Sequence, residues 1–253
     1  MDLRFPPLYD SLGVTYGAPR REDPRLAAQI HAALGDARSV VNVGAGTGSC
    51  EPRDRTVVAV EPSGVMIAAR PTGAAPVIQS GAEALPFPDG VFDAATALWT
   101  IHHWTDVRRG LGELRRVARR VVVLTASLRM NDLWMTAEYF PAMAAQRTRA
   151  ETQPEAIAEA LGGTTRIVPL LVPRDCIDWF GEALWGRPEL YLDAAVRANM
   201  SAFRLIDPAA VDAGIARLRR DLETGGWDAR HGHLRSLARL DTGHRIVVSD
   251  VAG

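Results

Sequence analysis

Apolar residues in this chain gather into short β-branched runs separated by stretches of helical period. Runs at about 39–43, 56–60, 75–79, 92–98 and 120–126 are rich in Val and Ala and bounded by Gly, Pro or charged residues, the pattern of buried strands. Between the last two, Val107, Leu111, Leu114 and Val117 fall at helical spacing opposite an arginine-rich face. Asp23-Pro24 opens an earlier helix, with aspartate as N-cap and proline at the first helical position. Leu26, Ile30 and Leu34 mark its buried face, and Gly35 stops it. Strands alternating with helices predict a mostly parallel α/β sheet whose ligands bind beyond the carboxyl ends of the strands.

Past the fifth strand the pattern changes. Asn131 to Arg149 carries Trp134, Met135, Tyr139, Phe140 and Met143, an adaptable apolar set suited to roofing a pocket. Thr152-Gln153-Pro154-Glu155 reads as a capping box for a helix to about Leu161,. Thr165 to Val172 reads as a sixth strand, and Cys176 to Gly226 as a largely helical insertion. The clearest helix of that insertion starts at Asp207-Pro208. It has Val211, Ile215, Leu218 and Leu222 on one face, and Gly225-Gly226 as its stop. His244 to Asp250 is the last strand.

The chemistry concentrates where the first strand ends. Val40, Val41 and Val43 run into Gly44-Ala45-Gly46-Thr47-Gly48, and the second strand ends at Glu61-Pro62-Ser63. Glycines let backbone approach a ligand and adopt positive φ. A carboxylate at the end of strand two can accept hydrogen bonds from both hydroxyls of a ribose. The spacing is G-x-G-x-G rather than the G-x-G-x-x-G of dinucleotide sites. Ser49 to Arg55, which includes Pro52, is also too short for a full crossover helix. A pyrophosphate would use that helix N-terminus, so nicotinamide binding is disfavoured.

These residues resemble the first motif of the class I S-adenosylmethionine-dependent methyltransferases, and the likeness continues in order along the chain. Glu61-Pro62-Ser63 resembles the family's ribose-binding strand end. Ala82-Glu83-Ala84-Leu85-Pro86-Phe87, followed by Asp89, Phe92 and Asp93, is similar to its adenine-site signature. Leu98 to Asp106 resembles its segment after strand four. The likeness covers roughly Tyr9 to Arg129; beyond that a similarity to small-molecule methyltransferases of the ubiquinone/menaquinone type is weaker. It implies a Rossmann-like three-layer sandwich with a seven-stranded, mostly parallel sheet. The last strand would be antiparallel, inserted between strands five and six, and a helical insertion would precede it.

The implied cofactor is S-adenosyl-L-methionine, with S-adenosyl-L-homocysteine as product. Its implied contacts are Gly44, Ala45, Gly46, Gly48, Glu61, Pro62, Ser63, Gly81, Ala82, Glu83, Leu98 and Trp99. Tyr16 and Arg20 would join them from an N-terminal segment that closes over the methionine end, Arg20 pairing with its carboxylate. One departure is Gly81, where the family usually carries an aspartate for the adenine amino group. The adenine contact then falls to backbone at Gly81 and Ala82 or to Glu83, and the sequence leaves the choice open.

Composition changes this picture little. The chain has 253 residues, 47% hydrophobic and 23% charged, with a net charge of −1. That is an ordinary globular mix, with no electrostatic case for nucleic-acid or membrane partners. Cys50 and Cys176 make neither a secreted framework nor a metal site,. With no signal-like segment from Met1 to Asp10, a cytoplasmic location with reduced thiols is expected.

The expected organisation is one domain over 1–253. A lid segment would occupy 1–22, a cofactor-binding core 23–129, and substrate-cover elements 130–150 and 173–242. His102 and His103 are the candidate bases, His103 preferred, although either can serve only to pack or cap. Methyl transfer from a sulfonium mainly requires alignment. His231-Gly232-His233 lacks further ligands nearby and reads as a surface loop rather than a metal site. Arg147, Arg149 and Arg187 would bind an acidic substrate if they converged. The expected function is methyl transfer to a small-molecule acceptor, apolar or of specialised metabolism. Alternatives are a cofactor-bound enzyme of another reaction, such as a cyclase, and an NAD-dependent oxidoreductase.

Overall fold

The computed structural model describes residues 21–147 and 149–250. Tyr9, Tyr16, Arg20 and nearly all of the expected lid lie outside them. Among the described residues the sheet has seven strands. They are β1 (Ser39–Val43), β2 (Thr56–Val60), β3 (Val77–Ile78), β4 (Phe92–Leu98), β5 (Ala118–Ala126), β6 (Thr164–Pro173) and β7 (Arg239–Asp250). The spatial order is β3-β2-β1-β4-β5-β7-β6, with β7 antiparallel to both neighbours and the strands from β3 to β5 paired parallel. The expected insertion of an antiparallel last strand is therefore present. The largest differences from the sequence reading are in two strands. β3 shrinks to two residues, and β7 starts five residues before His244 because Arg239 to Asp241 continue the pairing with β6.

Alternate residues of the central strands feed two cores, as the strand period of two requires. Val40, Ala94, Val122 and Val248 face one layer, with Leu26, Ile30 and Leu34 from α1 (Pro24–Ala33) and its C-cap. Val41, Ala95, Val123 and Val247 face the other, with Val107, Leu111, Leu114 and Val117 from α2 (Val107–Val117). A third helix, α3 (Pro154–Leu161), joins that second layer through Ile157 and Leu161. Its start differs from the expected capping box: Gln153 is the N-cap without a side-chain bond, while the Thr152 hydroxyl donates to the Arg149 carbonyl. Proline at the first helical position removes a donor and lessens the need for a cap.

The segments 128–147 and 174–238 form a cover of short helices on the first face. Its longest helix, α4 (Pro208–Glu223), starts at the Asp207 cap as expected. Gly225 (φ 75°) breaks the helix, but Gly226 opens a second short one to His231 instead of ending the helical run. Trp134, Met135, Tyr139, Phe140 and Met143 are all buried inside this cover. The Trp134 ring meets Tyr139, Tyr191 and Trp227 edge-on, at centroid distances of 5.6, 5.7 and 5.3 Å. The expected roof residues are thus buried in one core with α1 and the first face of the sheet. Among the described residues, no helix is long and apolar enough to cross a membrane.

Asp23 ties α1 to the cover. Its carboxylate accepts from the Arg25 backbone and guanidinium and from the Ile177 backbone. Chiefly through the Arg25 side chain, this holds its pKa at about 2, below the usual 3.8. A depressed carboxylate stabilises the fold fully above the unfolded pKa and loses that contribution as pH falls through the folded one. Asp23→Ala is expected to cost about 1 kcal/mol near neutrality. It should also flatten the acid loss of stability between roughly pH 4 and 2. Urea titrations of both proteins check this, and equal stability at pH 7 would contradict the cap's role.

Candidate functional site

The carboxyl edge of the parallel strands gathers the glycine loop after β1, Glu61 after β2, Ser80–Glu83 after β3 and Trp99–Thr100 after β4. Gly44 takes φ 70°, and a Cβ there would lie 2.0 Å from the Thr100 hydroxyl oxygen. Only glycine lets β1 turn against the end of β4. Gly46 and Gly48 also have positive φ, 52° and 95°. The Gly46 N–H donates to Glu61 Oε2 at 2.8 Å, and the Ser63 N–H to Oε1 at 2.9 Å. Each oxygen keeps room for a further donor. Glu61 is buried, and loss of hydration raises its pKa against the opposing pull of those two N–H groups and Arg70. Ser63 also caps the short helix 64–68 by accepting from the Met66 N–H.

No helix follows the glycine loop, as its length and Pro52 predict; residues 44–55 cross to β2 as turns. Charged side chains hold the crossover instead. Glu51 accepts from Arg70 at 2.7 and 2.8 Å, from Asn42 Nδ2 at 3.2 Å and from the Ala75 N–H at 3.2 Å. Arg70 also donates to the Gly46 carbonyl at 3.0 Å. Asn42 in turn accepts from Thr96 on β4. From the other side, Glu22 accepts from the Cys50 N–H, and the His31 ring meets the Cys50 carbonyl at 3.0 Å. Cys50 itself sits at φ 61°, a costly value for a residue with a side chain. None of this clamp was singled out from the sequence. Its only signal was a set of polar residues in a strand and a loop, Asn42, Glu51 and Arg70, without an evident solvent-facing pattern.

Glu83 is already engaged. Its Oε1 accepts from the Thr105 N–H and hydroxyl, both at 2.9 Å, and from the Asp106 N–H at 3.3 Å, just before α2. Ala82 is buried, and Gly81 and Leu98 are half-buried. Asp93 lies at the opposite edge of the sheet, where it accepts from the Arg38 and Ser39 backbone. That part of the signature fastens β4 to β1.

Trp99 has φ 51°, a strained value for an aromatic residue, although its N–H still donates to Leu124 on β5. Its half-buried ring meets Phe180 at 5.7 Å and His244 at 5.9 Å. The rings of His102 and His103 meet at a tilt of 54°, centroids 3.7 Å apart, in the turn after β4. Burial first, then the charges of His102 and Arg149, push His103 down to about 3, so it is neutral near pH 7. His102 is lowered by the same loss of hydration, though its surface exposure limits the effect.

The three arginines do not converge. Arg147 pairs with Glu182, Arg149 with Glu151 and the carbonyls of His102 and Trp104, and Arg187 with the Cys176 carbonyl. Cys50 and Cys176 are buried, and burial raises the Cys176 thiol to about 12. His231 bonds Glu138, and the described residues contain no cluster of three or more potential metal ligands.

A glycine cradle after β1, a buried carboxylate after β2 and an antiparallel seventh strand together define the methyltransferase class. The family model described as a methyltransferase domain matches residues 41–124. A crystal structure from Anabaena variabilis, described as a methyltransferase of an antibiotic biosynthesis pathway, superposes with a TM-score of 0.81. It is 30% identical, over 91% of this chain and 98% of that one. The chain belongs to the class I S-adenosylmethionine-dependent methyltransferase family.

Among curated proteins, it is 37% identical over 105 residues to the demethylmenaquinone methyltransferase of Mycolicibacterium gilvum. That match covers 39% of this chain and 46% of that protein, so it spans about half the length of this curated relative. The fold is shared with the cyclase SpnF, at TM-score 0.53 and 16% identity over 98% of this chain and 93% of that one.

The Glu51–Arg70 pair is nearly sealed from solvent, at 8% and 5% side-chain exposure. Removing one partner leaves a buried charge, which costs about 3–5 kcal/mol. Glu51→Ala should therefore unfold at markedly lower urea, and Glu51→Leu with Arg70→Met should recover most of the loss. A single substitution with wild-type stability would show the pair to be dispensable.

Proposed function

We propose that this enzyme transfers the methyl group of S-adenosylmethionine to a small-molecule acceptor. The observation that carries the reading is Glu61, whose carboxylate is held by the Gly46 and Ser63 N–H groups beside the glycine cradle. The remaining acceptor capacity of Glu61 suits the two ribose hydroxyls, and the turn at Gly44 to Gly48 leaves backbone open to the rest of the cofactor. Gly81 and Ala82 supply backbone for the adenine, because Glu83 is committed to Thr105 and Asp106. Leu98 and Trp99 border the same edge. Tyr16 and Arg20 belong to this reading as closing residues from the N-terminal segment.

When bound, the sulfonium supplies an activated methyl group, whose transfer leaves the carbon–sulfur electron pair on sulfur. The work left to the chain is to hold, align and exclude water. The cover over 128–147 and 174–238 supplies the wall on the acceptor side. With His103 held near pKa 3, the turn after β4 is a weak source of general base. A cytoplasmic, reduced setting suits the two buried cysteines,. The near-zero net charge favours no nucleic acid or membrane surface as acceptor.

Calorimetric titration with S-adenosylhomocysteine, with NAD(H) in parallel, tests the reading. Micromolar binding of S-adenosylhomocysteine alone is expected; binding of NAD(H) instead would overturn it. The ionised Glu61 accepts the ribose hydroxyls, and its raised pKa makes it protonate sooner than an ordinary glutamate as pH falls. Affinity should therefore decline on acidification from a pH above the usual glutamate range, and Glu61→Gln should be weaker and flatter. A variant with unchanged affinity would remove Glu61 from the site.

A further inference from the structure

β7 runs against the parallel strands, so its first residues arrive at their carboxyl edge. His244 pairs with Ala126 at the end of β5, where the topology puts ligands. The imidazole is buried. Its Nδ1 lies 3.0 Å from the Thr242 hydroxyl, and its Nε2 4.0 Å from Glu182 Oε2. Glu182 is itself buried and takes a 2.7 Å ion pair from Arg147, which also donates to Asn131. The ring meets Trp99 at 5.9 Å and Phe180 at 5.1 Å, both edge-to-face. Trp99 leads directly into Thr100, against which Gly44 is pressed. Two residues thus connect this polar cluster to the cofactor loop.

A separation of 4.0 Å is too long for a hydrogen bond and leaves the facing sides of Nε2 and Oε2 turned toward one another. A hydroxyl oxygen placed off their line can lie at about 2.8 Å from both. Trp99 and Phe180 are both only half-buried, and their rings offer apolar surface to a flat group beside that point.

We infer that His244, Glu182, Trp99 and Phe180 form the acceptor site, which takes a phenolic or enolic hydroxyl and passes its proton to His244. This rests on the cofactor reading above. In the step, the O–H bond breaks with its electron pair left on oxygen, and the proton bonds to Nε2. The resulting imidazolium faces Glu182, and the oxygen holds the pair that must attack the methyl carbon.

Electrostatics set the state of the ring before an acceptor arrives. Loss of hydration lowers His244 first; Glu182 and Asp241 oppose it, and Arg147 and Arg245 reinforce it. The ring is therefore the neutral, proton-accepting form near pH 7. Proton transfer from an acceptor therefore relies on Glu182, which faces the imidazolium and favours it.

The test uses the whole protein saturated with S-adenosylhomocysteine and titrated with 4-nitrophenol, whose phenolate absorbs in the visible. Binding with a phenolate band at a pH where the free phenol is still largely protonated is expected. His244→Gln should lose the band and weaken 4-nitrophenol binding at least tenfold, with S-adenosylhomocysteine affinity unchanged; Glu182→Gln should diminish the band. If His244→Gln does not fold, histidine-selective 15N spectra of the wild type decide, with one ring becoming doubly protonated on adding 4-nitrophenol. Failure of 4-nitrophenol to bind, a band insensitive to His244→Gln, or no histidine changing protonation overturns the acceptor site. Failure of S-adenosylhomocysteine to bind the wild type overturns the cofactor reading beneath it.

Discussion

The glycine loop depends on a buried ion pair where a helix would ordinarily stand. With only residues 44–55 between β1 and β2, the crossover has no helical hydrogen-bond ladder and no N-terminal dipole to fix its backbone. Glu51 and Arg70 supply the order instead. One carboxylate gathers Asn42 from the strand, Arg70 and the Ala75 amide, and the guanidinium reaches the Gly46 carbonyl. Burying such a pair seldom stabilises a fold more than apolar packing would. Its value here is directional, because Arg70 fixes the Gly46 carbonyl while Glu61 holds the Gly46 N–H, so the two peptide planes that flank this glycine are both pinned.

The sheet and the cofactor half were legible because short-range rules act there without competition. Val40 to Val43 and Val57 to Val60 could only be buried strands, and Asp23 and Asp207 cap the helices their sequences announce. Alternating glycines after a buried strand carry their own meaning. The acceptor half was not legible, because its geometry is made by long-range contacts. His244 lies about sixty residues beyond Glu182 and about a hundred beyond Arg147, and nothing local marks it as more than a strand residue. The adjacent pair His102-His103 draws the eye for the opposite reason, since proximity in sequence looks like a site. Thr152 shows the limit of motif matching: the pattern for a capping box is present, but the Arg149 carbonyl competes successfully for its hydroxyl.

The two halves of the edge share a design. On the β2 side the Glu51–Arg70 pair underlies the glycine loop, and on the β7 side the Arg147–Glu182 pair lies under the cover. Both are internally neutral, so each fixes position without placing net charge in the interior. Trp99, held in a strained conformation between them, belongs to both. The kinship in fold with a cyclase illustrates that this framework leaves the reaction to the side chains grafted on it.

The place of β7 also has a consequence for how the chain is made. It lies between β5 and β6, yet it is synthesised after both. Until residues 239–250 leave the ribosome, β5 and β6 each present an unpaired edge, and the apolar faces of both layers stay incomplete. Such edges invite pairing with other chains, and closure by a distant segment is intrinsically slow. The sheet is therefore finished by insertion of a segment made after both of its neighbours. The glycine loop can form once β4 is in place, whereas the ring of His244 enters its place only as β7 slides home.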